Sequence, residues 1–260
     1  MAIHFKFGGS TAARTMGCPA WQRLAETVPL VLEGSSNPAA DTGTMLHNCM
    51  EEYYGPDSID PEDMLHDKGR EYKGQHLTPE LVATKLYPAI DAVEIICGEL
   101  GIKGSNVLLE PLVKIDSDIG GSIDVLAISE DKKTVLILDY KFGHVSVSAE
   151  DNKQLQFYAL AAATDPATRD MFDECERIVL AIVQPNGDGD DLQVSEIDME
   201  ALDNFETEYL AAVDFTEEPT AQPASGSWCK YCPAEATCPV KTGAALKATR
   251  VNALTAAARP

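Results

Sequence analysis

One segment, residues 120–141, GGSIDVLAISEDKKTVLILDYK, constrains the chain more than any other. It reads as a strand near Asp124 over about residues 122–128, a short polar turn at 130–133, and a second strand at 134–140 whose end delivers Asp139 and Lys141. Side chains alternate faces along a strand, so Asp139 and Lys141 point one way and Tyr140 the other. Two acids and one lysine therefore converge on one edge. Carboxylate oxygens are hard ligands suited to Mg²⁺ or Mn²⁺, and the backbone carbonyl of Tyr140 can add one more oxygen. The lysine can orient or polarise a water that attacks a phosphodiester. The same residues also fit an ordinary solvated strand end, so the segment needs support from elsewhere in the chain.

Two partner segments flank it. Residues 41–54, DTGTMLHNCMEEYY, have helical periodicity, with Leu46, Cys49, Met50 and Tyr53 as an apolar stripe and His47 and Glu51 four residues apart on a shared face. Residues 151–163, DNKQLQFYALAAA, predict a second helix on which Gln154 and Tyr158 are also spaced i, i+4. Each helix taken alone fits a core or surface helix equally well.

Their order is more specific. G-T-x-x-H at Gly43–His47, G-x-x-D at Gly121–Asp124, D-x-K at Asp139–Lys141 and Q-x-x-x-Y at Gln154–Tyr158 together resemble the RecB-like branch of the PD-(D/E)XK nuclease superfamily, over about residues 10–240. The resemblance implies an α/β restriction-endonuclease-like core, with a central mixed sheet flanked by helices. It assigns metal binding to His47, Asp124 and Asp139, catalysis to Asp124, Asp139 and Lys141, and DNA contact or organisation of the site to Gln154 and Tyr158. It also implies a Mg²⁺- or Mn²⁺-dependent exonuclease acting on single-stranded DNA or duplex ends. In many relatives a glutamate stands where this chain has Asp139; a carboxylate one methylene shorter can still ligate.

The cysteines give a second signal. Seven are present, and an odd number argues against a fully paired disulfide framework. Cys229, Cys232 and Cys238 form C-x₂-C-x₅-C, three ligands that lack a fourth nearby, and Cys18 is the candidate for it. Cys18, Cys232 and Cys238 each precede proline, a habit of iron–sulfur ligands. A Cys₄ set holds zinc or [4Fe–4S], and spacing alone leaves both open. The split arrangement resembles the iron–sulfur nucleases, such as the AddB nuclease domain and the CRISPR-associated adaptation exonuclease, which implies a [4Fe–4S] cluster joining the termini. Such a staple would close a loop of roughly 210 residues and restrict the unfolded chain accordingly. Cys49, Cys97 and Cys175 read as small core residues.

The chain of 260 residues has 42 acids against 20 bases, a net charge of −22, the wrong sign for a protein approaching phosphates. Residues 1–35 carry three bases and two acids, and residues 226–260 five bases and one acid, so the acid excess lies between them. Arg14, Arg23, Lys230, Lys241, Lys247 and Arg250 are candidates for a phosphate-facing patch. No apolar run reaches the roughly 18 residues a membrane span needs, and the start has no signal-peptide core, so a cytoplasmic protein is expected, in a bacterial host if phage-encoded.

The remaining elements complete an α/β expectation. Helices are predicted over 11–27, 79–99 and 199–213, strands over 106–115 and 177–183, an irregular loop over 56–78, a turn at 187–191 and a linker over 217–225. Two regions follow: a nuclease domain over 1–225, with Cys18 reaching to the cluster, and a cysteine region with a terminal helix over 226–260. The absence of a nucleotide-binding helicase motif suggests a phage or mobile-element recombination exonuclease beside a strand-annealing recombinase, or an adaptation nuclease beside an integrase. An oligomer is compatible with the sequence and not demanded by it. Two rivals remain: an inactive iron–sulfur or zinc nucleic-acid-binding factor on the same fold, and a metalloenzyme acting on a small substrate.

Overall fold

A computed structural model describes residues 5–28, 37–66, 70–185 and 190–243. Most of the predicted turn at 187–191, Lys247, Arg250 and the predicted terminal helix lie outside them. The chain divides into two compact units, one comprising Met1–Gly9 and Gly34–Phe205, the other Ser10–Glu33 and Glu206–Pro260.

In the second unit, the helix predicted over 11–27 is two short ones, α1 (Ala12–Gly17) and α2 (Trp21–Glu26). The break falls at Cys18–Pro19, where Cys18 is extended at φ −144, ψ 96 because a residue before proline is driven out of the helical region.

The first unit begins with α3 (Pro38–Tyr54), opened by Asn37, whose side chain accepts from the Ala40 amide, and by Pro38 at the first turn. The segment expected to be an irregular loop contains α4 (Pro61–His66) and a small hairpin, β1 (Glu71–Tyr72) with β2 (Gln75–His76). Its turn residues Lys73 and Gly74 both have positive φ, the twist that suits a two-residue hairpin. The long helix predicted next exists as α5 (Pro79–Leu81) and α6 (Tyr87–Glu99), joined by a π-helical turn at Val82–Leu86. That turn buries Lys85, whose ammonium donates to the Pro185 carbonyl at 2.7 Å.

Both strands of the predicted hairpin region turn a corner. The strand expected over 106–115 is β3 (Val107–Leu109) and β4 (Leu112–Lys114), interrupted where Glu110 takes a left-handed φ of 46 before Pro111. Opposite it lie β5 (Gly120–Ser122) and β6 (Val125–Ile128), so Asp124 sits in the bend before β6 and not at the end of a strand. β4 pairs with β5 as a separate ribbon, whereas β3 and β6 enter the main sheet.

That sheet is completed by β7 (Thr134–Tyr140), β8 (Arg177–Val183) and β9 (Leu192–Ile197), in the order β3-β6-β7-β8-β9. β7 and β8 run parallel and the other neighbours antiparallel, a mixed sheet. All seven residues of β7 are buried, as expected of a central strand covered on both faces. Leu136, Leu138, Tyr140 and Phe142 join a core with Met45, Leu46 and Met50 of α3 and Ile90, Val93 and Ile96 of α6. The crossover between β7 and β8 is α7 (Lys153–Thr164), whose run Phe157–Ala162 is wholly buried, small alanines allowing close approach. The first unit is thus a mixed α/β sheet flanked by helices. α8 (Met199–Thr216) continues three residues beyond the predicted end, and the boundary between the units falls within it.

Candidate active site

The end of β7 carries Asp139, only 3% exposed, and the chain leaves the sheet at Lys141, whose amide still donates to Val183 at 2.8 Å. The alternation of faces holds: Tyr140 enters the apolar core while Asp139 and Lys141 meet α7. Asn152 caps that helix by accepting from the amides of Gln154 and Leu155. The cap fixes Gln154 at the first turn, where its Nε2 donates to Asp139 Oδ1 at 2.7 Å and its Oε1 accepts from Lys141 Nζ at 3.3 Å. Tyr158, one turn on, places its hydroxyl 3.4 Å from the same amide nitrogen. The predicted D-x-K and Q-x-x-x-Y residues are one connected cluster.

Asp139 Oδ2 lies 2.5 Å from Lys141 Nζ, a buried ion pair that leaves the carboxylate further lone pairs. Burial raises the Asp139 pKa to about 6, against the opposing pull of Lys141 and with help from the charge of Asp124.

The other predicted ligands meet on the adjoining side. Asp124 Oδ2 accepts from the Tyr140 amide at 2.6 Å and stands 3.4 Å from His47 Nδ1. The His47 ring packs edge-on against Tyr140 and Phe142, at centroid distances of 5.9 and 5.4 Å. Burial disfavours its protonation, but the hydrogen bond and charge of Asp124 outweigh that and hold its pKa above the ordinary value.

A further acid joins them that the motifs did not mark. His47, Glu110 and Asp124 each offer a ligand atom, and these atoms lie within 4.8 Å of one another. The bend at Pro111 swings Glu110 there, its amide donates to the Asp124 carbonyl at 3.1 Å, and Ser122 Oγ donates to its Oε2 at 2.8 Å. Burial first, then the charge of Asp124, raises its pKa. Glu51, on the His47 face of α3, is exposed and is not part of this group. Glu110 and Asp124 with the His47 imidazole form a donor set that suits a divalent cation, and two of the carboxyls in this region, Glu110 and Asp139, are held above their ordinary pKa.

Two motif glycines behave differently. A Cβ at Gly121 would lie 3.2 Å from the Tyr158 ring, so the small residue admits that side chain, whereas a Cβ at Gly43 would meet nothing within 4 Å.

In the second unit, Cys18, Cys229, Cys232 and Cys238 line a single small cavity. The Ala224 amide points at Cys18 Sγ (3.4 Å) and the Gly226 amide at Cys229 Sγ (3.5 Å), the kind of outer hydrogen bond that supports thiolate ligands. Four thiols around one cavity are a ligand set that suits zinc or an iron–sulfur cluster alike. All seven cysteines are free; Cys49 is buried as expected, Cys97 is half-buried and packs against the core, and Cys175 is half-buried outside it.

The predicted phosphate-facing patch is largely committed elsewhere. Arg14 donates to the carbonyls of Trp228 (3.4 Å) and Tyr231 (3.0 Å), Arg23 to that of Ala221 (2.6 Å), and Lys241 pairs with Glu235 at 3.2 Å. Each closes the second unit on itself.

Among the described residues no helix is long and apolar enough to cross a membrane. No curated protein matches the chain. Among solved structures it is similar to the crystal structure of SSO0001, at 14% identity over 88% of this chain and 85% of that one, with a TM-score of 0.32. It is also similar to LHK-Exo in complex with dAMP, at 13% identity over 79% and 90%, TM-score 0.32. A third is an alkaline exonuclease (LHK-Exo) from Laribacter hongkongensis, at 16% identity over 80% and 91%, TM-score 0.31. Residues 4–257 match a family described as a protein of unknown function (DUF2800), and the chain belongs to that family.

Proposed function

We propose that this protein is a metal-dependent deoxyribonuclease, an exonuclease hydrolysing phosphodiester bonds in single-stranded DNA or at duplex ends. The observation that carries the reading is the joining of Asp139, Lys141, Gln154 and Tyr158 into one hydrogen-bonded cluster beside the His47–Glu110–Asp124 group. A lysine held between a buried carboxylate and an amide has little structural reason to be there, and a small uncharged substrate has no use for it.

His47, Glu110, Asp124 and Asp139 would hold Mg²⁺ or Mn²⁺, with the Tyr140 carbonyl as a further oxygen; the imidazole inclines the set toward Mn²⁺. Such an ion supplies Lewis-acid polarisation of the phosphoryl group and makes water acidic enough to attack near neutral pH. Lys141 faces the negative charge that develops as the water oxygen adds to phosphorus and the P–O bond to the leaving strand breaks. Gln154 fixes both Asp139 and Lys141, so neither must reorganise during the reaction, and Tyr158 holds the strand through its hydroxyl. Sequence-independent cutting follows from contacts to the backbone alone. In the second unit, Cys18, Cys229, Cys232 and Cys238 would hold a [4Fe–4S] cluster, which supplies a structural cross-link and takes no part in hydrolysis.

The test is degradation of end-labelled linear and closed circular DNA with Mn²⁺, Mg²⁺ or EDTA, using anaerobically purified protein and the Asp139→Ala and Lys141→Ala variants. Metal-dependent loss of linear DNA that both substitutions abolish is expected. Cutting of circles would make the enzyme an endonuclease, and no cutting by loaded protein would leave a nucleic-acid-binding factor. Iron and zinc analysis of the same preparation decides the occupant of the cysteine site.

A further inference from the structure

The cysteine segment makes a turn that its sequence should avoid. The Cys232 amide donates to the Cys229 carbonyl at 3.0 Å, closing a four-residue turn. Lys230 has φ −58, ψ 128, and Tyr231 has φ 62. Those angles describe a type II turn, whose third position calls for the left-handed region and normally holds glycine. Here it holds a tyrosine.

The turn is nevertheless fixed. Arg14 donates to the carbonyls of Trp228 and Tyr231. The Trp228 indole lies so close to the α-carbons of Gly17 and Gly226 that a Cβ at either would come within 2.3 and 2.5 Å of the ring. Its Nε1 donates to the Ala224 carbonyl at 3.1 Å. On this rigid base the Tyr231 side chain does not pack inward; it is 77% exposed, the most exposed large apolar side chain among the described residues. The Lys230 ammonium stands 5.1 Å from the ring centroid. Lys230 is also the cation of the predicted basic set, within the described residues, that is not turned onto a backbone carbonyl or a carboxylate.

We propose that Tyr231 and Lys230 form a nucleobase-stacking site for single-stranded DNA, built into the turn between Cys229 and Cys232. A strained backbone position kept for a solvent-exposed aromatic points to a role outside the fold. A planar ring held on a fixed base gives a base a face to stack on at little entropic cost, and the adjacent ammonium can meet the flanking phosphate. Every base has such a face, so the site would be indifferent to sequence. The inference rests on the nuclease reading for its choice of ligand, and it concerns the second unit alone.

The experiment uses the full chain carrying Asp139→Ala, so that DNA is not consumed, and a fluorescent oligo(dT) containing one 2-aminopurine. Anisotropy gives affinity, and quenching of 2-aminopurine reports stacking. Tyr231→Phe should bind within twofold of the parent and quench equally. Tyr231→Gly should bind about tenfold more weakly and lose the quenching, while melting at the same temperature or higher because glycine relieves the turn. Lys230→Gln should lower the salt dependence of binding while quenching persists. Tyr231→Gly that binds and quenches like the parent overturns the site, as does absence of oligonucleotide binding by the parent. Unchanged binding by Tyr231→Gly, alongside DNA cleavage by the unsubstituted protein, removes the stacking site and leaves the nuclease. Tyr231-dependent binding without cleavage does the reverse.

Discussion

Replacing Gln184 by methionine tests how the loop beyond Lys141 is held in register with the helix that carries Gln154. Gln184 follows β8 and is 2% exposed. Its Nε2 donates to the carbonyls of Gly143 and Val145, both at 2.8 Å, and its Oε1 accepts from the Val147 amide at 2.9 Å. One side chain thus fastens three backbone groups of the connection between the two halves of the acid–lysine–glutamine cluster. Methionine has a similar length and none of these bonds, and a buried hydrogen bond is worth about 1 kcal/mol, so the loss is about 3 kcal/mol. For a chain of this size that is a fall in Tm of about 6 to 12 °C. In single-turnover cleavage the rate should drop by more than tenfold at temperatures where the variant is fully folded, with DNA affinity little changed, because Lys141 and Gln154 no longer share a fixed separation. Gln184→Glu is the sharper control: it keeps the acceptor for Val147 but turns a carboxylate toward two carbonyls, so it should be the worse of the two although it is the smaller change. A methionine variant that melts within 1 °C of the parent and cleaves at the parental rate would refute the account.

Three further outcomes follow from the site. Asp139 has an ordinary pKa of 3.8 and is raised to about 6 when folded, so the folded state binds more protons between those values. Its contribution to stability is present at low pH and is lost as pH rises from about 4 to about 6; thermal melts of metal-free protein should show this, and Mg²⁺ or Mn²⁺ should raise Tm strongly at pH 7.5 and little at pH 5. Glu110→Gln keeps the side chain's size and its contact with Ser122 but removes a charge beside Asp124, and should weaken Mn²⁺ binding by about tenfold in calorimetry. Gly43→Ala adds a methyl where nothing stands within 4 Å and should stabilise α3 by about 0.5 to 1 kcal/mol; a drop in Tm contradicts this, and a drop in cleavage with Tm raised means that DNA passes over that turn.

The elements legible in the sequence are those whose burial or ends are written locally. β7 and β8 match their predicted ranges residue for residue, because each is built on a run of consecutive apolar residues, Val135–Leu138 and Ile178–Val183, that suits a strand covered on both faces. α7 was legible through its alanine-rich apolar run, and with it Gln154 and Tyr158, while its start at Lys153 is set by the Asn152 cap. The corner was not legible: a run such as VLLEPLVKI is rich enough in strand-forming residues on both sides of Glu110–Pro111 to read as one strand, and the proline was its single signal. Missing the corner meant missing Glu110, which has no motif of its own and reaches His47 and Asp124 only because the strand breaks. β9 was missed because its strand pattern, LQVSEI, is short and half polar, as befits the exposed edge it occupies. The basic set misled for another reason: charge counts along a chain do not reveal which guanidinium groups are spent on carbonyls.

The bend in the β3–β6 region has a consequence for how such a protein can change. Glu110 and Asp124 stand at the joint between two ladders, and on the sheet side their neighbours Leu109 and Val125 are paired in fixed register. On the other side the β4–β5 ribbon ends in the connection through Asp116, whose carboxylate accepts from the amides of Asp118 and Ile119. That tip is held in turn by Phe7, whose amide donates to Asp118 and whose carbonyl accepts from Gly120, and by Asp165, which accepts from the Lys114 amide, so the acids are fixed from both sides. The joint is thus clamped between sheet and ribbon, so a change in either would be felt at the two acids together.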